Sequence, residues 1–173
     1  IIKGKDERDS VTRNFDNDKK DLKKIVIGIP KVGAGKEIWD LVRKKVEEVC
    51  KKEKWKYEDC KIDYIDLGIQ TYYPIVFAEF FSGTRKFDGR RYGKKIEESC
   101  GEEVLRRIFG GQEISQAEFE GKYYRKALSA RKIITEEFDK AFKDVDVLIL
   151  PTMPLLPWKI GEKPGLEAEY ATD

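Results

Sequence analysis

Two short runs of aliphatic residues constrain the fold of this chain more than any other feature. Residues 25–30 (Ile-Val-Ile-Gly-Ile-Pro) and 145–150 (Val-Asp-Val-Leu-Ile-Leu) have the composition of strands buried on both faces of a parallel sheet. The segment from 36 to 52 is predicted to be a helix, because its apolar residues recur at the spacing of one helix face. These residues are Ile38, Val42, Val46 and Val49. A second strand is expected over residues 62–65, and a strand–helix–strand unit of this size predicts an α/β fold.

The second half of the chain is predicted to be mainly helical. A short helix is expected over residues 102–109. A longer one is expected from Ser115 to Lys143, with Ser115 as its N-cap and Glu118 as the partner in a capping box. We therefore expect one domain, or a large piece of one, in four segments. They are a leading loop (residues 1–24), a strand–helix–strand unit (25–69), a mainly helical region (70–143), and a strand with a substrate-side loop (144–173).

The composition argues against several classes of protein. The chain contains no histidine, which excludes Ser-His-Asp and Cys-His catalysis and histidine zinc sites within it. Its 35 Lys and Arg residues nearly balance its 33 Asp and Glu residues, so no strongly basic surface for nucleic acid is expected. No apolar run has the length of a membrane span. Three cysteines without C-x-x-C spacing, and no secretory signal, favour a cytoplasmic protein, and the single Met suggests a heat-adapted source.

The glycine-rich turn after the first predicted strand does not match a nucleotide-binding motif. A P-loop ending at Gly35-Lys36 requires glycine where Pro30 stands, and Ser or Thr where Glu37 stands. None of the five serines lies in a Gly-rich nucleophile elbow, so this chain on its own has no recognisable catalytic centre. Lysine pairs lie near Trp55, and an aromatic ring beside basic residues could stack on RNA bases. A solvated helix face explains these lysines more simply.

Five segments of the chain, in order, carry a family resemblance. They are residues 4–10 (Gly-Lys-Asp-Glu-Arg-Asp-Ser), 87–93 (Phe-Asp-Gly-Arg-Arg-Tyr-Gly), 101–108 (Gly-Glu-Glu-Val-Leu-Arg-Arg-Ile), 138–142 (Phe-Asp-Lys-Ala-Phe) and 145–154 (Val-Asp-Val-Leu-Ile-Leu-Pro-Thr-Met-Pro). Together they resemble the A subunits of tRNA-dependent glutamyl/aspartyl amidotransferases, which belong to the amidase-signature family. The resemblance implies an α/β fold, part of an amidase-signature domain, with a mixed β-sheet flanked by helices.

The family's catalytic set, a Ser–cis-Ser–Lys arrangement in a Gly/Ser-rich segment, has no counterpart in these residues. The resemblance implies that this set lies upstream of Ile1. The chain also does not begin with Met, and it stops at Asp173. We therefore expect a C-terminal-side fragment of a single amidase-signature domain, with no catalytic residue of its own and no activity in isolation.

The resemblance further implies a glutaminase reaction and a set of partners. In the family, the serine attacks the side-chain amide of glutamine, which gives an acyl-enzyme and releases ammonia. A partner B subunit uses that ammonia, with ATP and magnesium, to convert Glu-tRNA(Gln) or Asp-tRNA(Asn) to the amidated product. A small C subunit holds A and B together in a heterotrimer. No cofactor or metal is expected to bind this chain itself.

Three substrate-binding residues are implied by the same resemblance. Arg107, the second arginine of the Arg-Arg-Ile motif, is implied to bind the carboxylate of glutamine. Tyr72, the first residue of a Tyr-Tyr pair, is implied to line the same pocket. Asp173, at the end of a Tyr-Ala-Thr-Asp sequence, is implied to bind the amino group. Each also has a structural interpretation, as a helix-surface arginine, a core aromatic residue and a chain end, respectively.

Two other functions stay open on the sequence alone. One is a general amidase of the same family that acts on uncharged amides, which would need neither Arg107 nor Asp173. The other is a non-catalytic docking piece whose charged helices bind a protein or tRNA partner. Binding of that second kind to tRNA would weaken steeply with added salt.

Overall fold

The computed structural model describes residues 5–13, 24–116, 120–162, 165, 168 and 170. Within these residues the chain forms three strands and five α-helices. In order, they are β1 (Val26–Pro30), α1 (Lys36–Glu53), β2 (Lys56–Cys60), α2 (Gly68–Thr84), α3 (Ile96–Ser99), α4 (Glu102–Ile114), α5 (Lys122–Ala141) and β3 (Val147–Leu148). Short 3-10 turns occupy Ile65–Leu67 and Arg85–Phe87. None of the helices in the described part of the chain is both long and apolar enough to cross a membrane.

The strands form one parallel sheet in the order β2-β1-β3. β1 pairs with β2 from Val26 opposite Lys56 to Pro30 opposite Cys60. On its other side, β1 pairs with β3 through Ile27 opposite Val147 and Gly28 opposite Leu148. The predicted α/β class, with a sheet flanked by helices, is therefore confirmed, as are the strand in residues 25–30 and the helix that follows it.

The central strand is buried because it has neighbours on both edges and α1 on one face. Ile27 and Ile29 are only 2% and 1% exposed. Val46 and Cys50 of α1 pack against them in one apolar cluster. Gly28 is required by close packing, since a Cβ atom there would lie 2.9 Å from side-chain carbons of both Leu148 and Val145. This packing holds β1 and β3 side by side, so that their carboxyl ends lie at the same edge of the sheet.

Asp146 fastens β3 to the start of β1. The Val26 amide donates to Asp146 Oδ2 at 2.9 Å, and the Asp146 amide donates to the Val26 carbonyl oxygen at 2.9 Å. Beyond the two ladder residues, the Ile149 amide donates to the Gly28 carbonyl oxygen at 3.0 Å. The strand predicted over residues 145–150 is thus confirmed in position, although its regular part is shorter.

The helices α2 and α4 pack closely through glycine. A Cβ atom at Gly111 would collide with the carbonyl oxygen of Phe77, and one at Gly110 would lie 2.7 Å from the Phe77 ring. Ile108 of α4 is 2% exposed and Ile75 of α2 is 7% exposed. The close approach of the two backbones brings the side chains on neighbouring turns of α2 and α4 together.

The predicted position of the second strand is wrong. β2 spans Lys56–Cys60, upstream of residues 62–65, which contain a loop and the beginning of a 3-10 turn. Four of the five β2 residues are exposed. Because β2 lies at an edge of the described sheet, it needs no apolar run, and its sequence has none. Ile62 is buried at 5% exposure but lies in the loop, before Tyr64 with a left-handed φ of 63°.

The predicted start of the last helix is also wrong. Ser115 follows the end of α4, where its amide donates to the carbonyl oxygens of Gly111 and Gln112. α5 begins at Lys122, after Gly121 with a left-handed φ of 68°. The expected capping partner, Glu118, lies outside the described residues. The helix predicted over residues 102–109 is confirmed, and it continues to Ile114. Gly110 and Gly111 do not end the helix, because they allow it to pack closely against α2.

Candidate functional site

A cavity of about 510 Å³ lies beyond the carboxyl ends of β1 and β3. Its walls come from the loop after β1, the segment after β3, and the first turns leading into α2. The lining residues are Lys31, Val32, Gly33, Ala34, Ile65, Asp66, Gly68, Ile69, Tyr72, Pro151, Thr152 and Pro154. Ligands of α/β proteins commonly bind at this end of parallel strands. The cavity is therefore the best candidate for a substrate pocket.

Hydrogen bonds fasten the loops that form the cavity. The Gly35 amide donates to the Pro154 carbonyl oxygen at 2.8 Å, which joins the loop after β1 to the segment after β3. The Trp39 indole N–H of α1 donates to the Val32 carbonyl oxygen at 3.1 Å. The wall on the strand side is therefore held by α1 as well as by the sheet.

Tyr72 brings α2 into the cavity wall. It lies in the second turn of α2, and its side chain is partly open to solvent at 46% exposure. Its ring contacts the ring of Tyr73 edge-on, with 5.3 Å between the centroids. Tyr72 is therefore not buried in the core, which was the alternative interpretation of this residue. Its side chain lines the cavity in which a ligand would bind.

Arg107 lies on α4 beside the two tyrosines. Its Nε donates to Glu103 Oε1 at 2.8 Å, and its guanidinium carbon lies 5.9 Å from the centre of the Tyr73 ring. The side chain is 26% exposed. The hydrogen bond to Glu103, together with the charge of that carboxylate, raises the pKa of Arg107. Arg107 is linked to Tyr72 through the ring of Tyr73, which contacts both residues, although Arg107 itself is not part of the cavity wall.

Glu103 is shared by two arginines, which the sequence reasoning missed. Its Oε1 accepts from Arg107, and its Oε2 accepts from Arg106 Nε at 2.8 Å and from Arg106 Nη2. Hydrogen bonding to Arg106, followed by that to Arg107, lowers the pKa of Glu103. The spacings of three and four residues on one helix were a signal available in the sequence. The cluster keeps one positive charge in excess.

Tyr170 packs against the same helices. Its ring lies edge-on to Tyr73, with 4.6 Å between centroids and 85° between planes. The guanidinium carbon of Arg106 lies 4.5 Å from the centre of the Tyr170 ring. Asp173 lies outside the described residues, so its predicted role stays a prediction. Of the other charged groups, Lys31 and Asp66 line the cavity and were also missed.

In the part of the chain that the structure describes, no group of three or more His, Cys, Asp or Glu side chains could hold a metal ion. The ionisable groups near the cavity can bind a ligand through charge and hydrogen bonds. An anionic group could meet Arg107 or Lys31, and a cationic group could meet Asp66.

Comparison with known proteins assigns the family. The family described as Amidase matches residues 1–172. This chain belongs to the amidase family. The amidase chain is 49% identical over 171 residues to the A subunit of glutamyl-tRNA(Gln) amidotransferase from Methanocaldococcus jannaschii, covering 94% of this chain and 38% of that protein. It is 47% identical over 180 residues to the A subunit of the same name from Methanococcus maripaludis strain C7, covering 99% and 41%.

A solved amidase-signature enzyme shares the fold. A point variant of allophanate hydrolase from Kluyveromyces lactis superposes with a TM-score of 0.55 at 27% identity, covering 78% of this amidase chain and 21% of that structure. The predicted membership of the amidase-signature family, and the likeness to amidotransferase A subunits, are therefore confirmed. The amidase chain spans about two fifths of the length of these two archaeal relatives.

Proposed function

We propose that this chain is part of the glutaminase subunit of a tRNA-dependent amidotransferase. The enzyme would hydrolyse glutamine and supply ammonia for converting Glu-tRNA(Gln) to Gln-tRNA(Gln), or Asp-tRNA(Asn) to Asn-tRNA(Asn). One structural observation carries the proposal: Tyr73 contacts both Arg107 and Tyr72, and Tyr72 lines the cavity at the carboxyl ends of β1 and β3. The similarity to the A subunits of two archaeal glutamyl-tRNA(Gln) amidotransferases supports the conversion of Glu-tRNA(Gln).

The chemistry of free glutamine explains why an arginine is needed there. Glutamine carries a carboxylate and an ammonium group besides the amide that reacts, and each loses water on entering a half-dry pocket. A guanidinium restores two hydrogen bonds to a carboxylate and matches its charge. Arg107 contacts Tyr73, whose ring packs against Tyr72 of the cavity wall, and we assign Arg107 the carboxylate. We assign the ammonium group to Asp173 and one wall of the pocket to Tyr72.

The bond-making step belongs elsewhere in the protein under this proposal. A serine Oγ, with a lysine as base, attacks the amide carbon of glutamine, the nitrogen leaves as ammonia, and water then releases glutamate. We assign these groups to the part of the protein outside this chain. The chain alone would therefore bind glutamine weakly and would not hydrolyse it.

The partners follow from the same reaction. A B subunit would bind the misacylated tRNA, ATP and magnesium, and a C subunit would hold A and B together. This chain would contribute no ligand to ATP or magnesium. We place the assembly in the cytoplasm, where aminoacyl-tRNA is made and used.

Steady-state kinetics of the complete amidotransferase test the proposal. Replacing Arg107→Ala removes the charged hydrogen bonds to the substrate carboxylate, which contribute about 1.5–3 kcal/mol, so the KM for glutamine should rise roughly 10- to 150-fold. Arg107→Lys keeps the charge without the fork and should recover only part of the loss. Arg131→Ala, on an exposed position of α5, is the matched control. An unchanged KM in Arg107→Ala would contradict the assigned role.

A general amidase is the second candidate, because the match of the whole chain is to a family described only as Amidase. An enzyme of that kind would hydrolyse an uncharged primary amide at least as well as glutamine, and Arg107→Ala would not alter its preference. A strong preference for glutamine that disappears in Arg107→Ala would favour the glutaminase.

A further inference from the structure

We propose that Tyr170 is a positioning residue of the glutamine pocket. Its ring packs against Tyr73 and Arg106, and through these two residues it fixes the positions of Tyr72 and Arg107. The inference rests on the proposed glutaminase function and names a residue that acts on the pocket without lining it. Tyr170 is connected to Tyr72 and Arg107 by two separate chains of contacts, one aromatic and one ionic.

The aromatic route passes through Tyr73. Tyr170 contacts the Tyr73 ring edge-on at 4.6 Å between centroids, and Tyr73 contacts Tyr72 at 5.3 Å. The same Tyr73 ring lies 5.9 Å from the guanidinium carbon of Arg107. Edge-on aromatic pairs have preferred geometries, so the Tyr170 ring limits the rotation of Tyr73. Because Tyr73 contacts both Tyr72 and Arg107, its orientation sets the space between them.

The ionic route passes through Arg106 and Glu103. The guanidinium carbon of Arg106 lies 4.5 Å from the centre of the Tyr170 ring, a cation–π contact. Arg106 also donates to Glu103 Oε2, while Arg107 donates to Oε1 of the same carboxylate. Loss of the Tyr170 ring would free Arg106, which would allow the carboxylate to turn and shift Arg107 with it.

The contacts of Tyr170 with α2 and α4 are made by its ring rather than by its hydroxyl. The hydroxyl oxygen is buried and has no hydrogen-bond partner among the described residues. Phenylalanine would keep both ring contacts, whereas alanine or leucine would lose them. A requirement for the ring at position 170, with little requirement for the hydroxyl, is therefore the signature of the proposed role.

The test is the kinetics of the complete amidotransferase with glutamine and with an uncharged primary amide. Tyr170→Ala should raise the KM for glutamine roughly tenfold while leaving the KM for the uncharged amide within about twofold, because only glutamine uses Arg107. Tyr170→Phe should stay close to the wild type with both substrates. Tyr57→Ala removes an exposed tyrosine of β2 and should change neither value. Should Tyr170→Ala fold poorly, Tyr170→Leu keeps apolar volume without the aromatic ring and should show the same split.

A double-mutant cycle separates this inference from the proposed function. If Tyr170 acts partly through Arg107, Tyr170→Ala should raise the glutamine KM less in the Arg107→Ala enzyme than in the wild type. The inference is overturned if Arg107→Ala raises the KM but Tyr170→Ala does not. It is also overturned if Tyr170→Phe is as impaired as Tyr170→Ala, or if both substrates are affected equally. If Arg107→Ala itself has no effect on glutamine, the proposed function fails instead.

Discussion

The backbone amide of Gly35 donates a hydrogen bond across 2.8 Å to the carbonyl oxygen of Pro154. This bond joins the loop after β1 to the segment after β3, at the cavity that both segments line. Gly35 has a φ of −58°, which suits proline as well as glycine. Proline at this position would keep the backbone φ, but its ring carbon Cδ would replace the amide hydrogen and collide with the Pro154 oxygen.

Replacing Gly35→Pro should weaken the cavity wall by deleting that donor and by placing a ring carbon against the Pro154 oxygen. We expect a loss of at least about 1 kcal/mol in the free energy of unfolding and a higher KM for glutamine. Gly35→Ala keeps the donor, and its Cβ atom would meet Pro154 O at 3.6 Å and Ile38 at 3.8 Å, which are ordinary contacts. Chemical denaturation and glutaminase kinetics of the pair measure the effect. Equal behaviour of the two variants would show that the bond does not hold the wall.

Replacing Gly111→Ala should separate α4 from α2. The added carbon would collide with the Phe77 carbonyl oxygen, which is backbone and cannot rotate away. We expect a loss of at least about 2 kcal/mol in the free energy of unfolding and impaired glutamine binding. Gly83→Ala, near the end of α2, meets no atom within 4 Å and should be neutral or stabilising by up to about 1 kcal/mol. Thermal denaturation measures the stability of both variants. Comparable melting temperatures would contradict the close packing of α4 against α2.

Replacing Glu103→Gln should change the response of stability to acid. Arg106 and Arg107 lower the pKa of Glu103 from its ordinary value of 4.5. The stability that the ionised carboxylate contributes is therefore present above pH 4.5 and is lost as the pH falls through the lowered pKa. The wild type should exceed Glu103→Gln by about 1 kcal/mol or less at pH 7, because the pair is partly solvated, and the difference should shrink in acid. Urea denaturation at a series of pH values measures it, and a difference that grows in acid would contradict the ion pairs.

The sequence predicted β1 and α1, which share a buried core, and missed β2, which is exposed. β1 and α1 were found because their apolar residues face the same core, which leaves a strong periodic signal. β2 was missed because its residues from Lys56 to Asp59 are exposed and need no apolar pattern. Ser115 has the composition of an N-cap, but it follows α4 because Gly111 lets that helix continue against α2.

The candidate site shows the same division. Tyr72 and Arg107 came from a resemblance, since neither residue has a local pattern that announces a pocket. Their meeting depends on the packing of α2 against α4, which joins parts of the chain that are distant in sequence. The contact of Tyr170 with Tyr73 depends on the course of the chain after β3 and has no local sequence signal either.

Replacing Val147→Lys should reduce self-association of the isolated chain. A groove of about 400 Å³ beside β1 and β3 is lined by Lys45 and eight apolar residues: Ile25, Ile27, Val42, Val46, Val49, Trp55, Val147 and Ile149. Val147 is 43% exposed on β3, an edge of the described sheet. A lysine there places a charge in the groove and on the edge, which opposes strand pairing between copies.

Light scattering after size-exclusion chromatography measures that association. The isolated wild-type chain should form dimers or larger species at micromolar concentrations, and Val147→Lys should elute as a monomer. Ile133→Lys, at an exposed position of α5 away from the sheet edges, is the control for added charge alone and should associate like the wild type. A wild-type chain that stays monomeric at high concentration would contradict the expectation.

Glu103 has a consequence for how tightly a carboxylate can be held. A long arginine side chain that is free in solution loses up to about 2 kcal/mol of rotamer entropy when a ligand immobilises it. Glu103 already holds Arg107 through Nε, so most of that loss occurs when the protein folds. A glutamine carboxylate would then meet a guanidinium whose direction is set in advance, and binding would be limited by the ordering of glutamine itself.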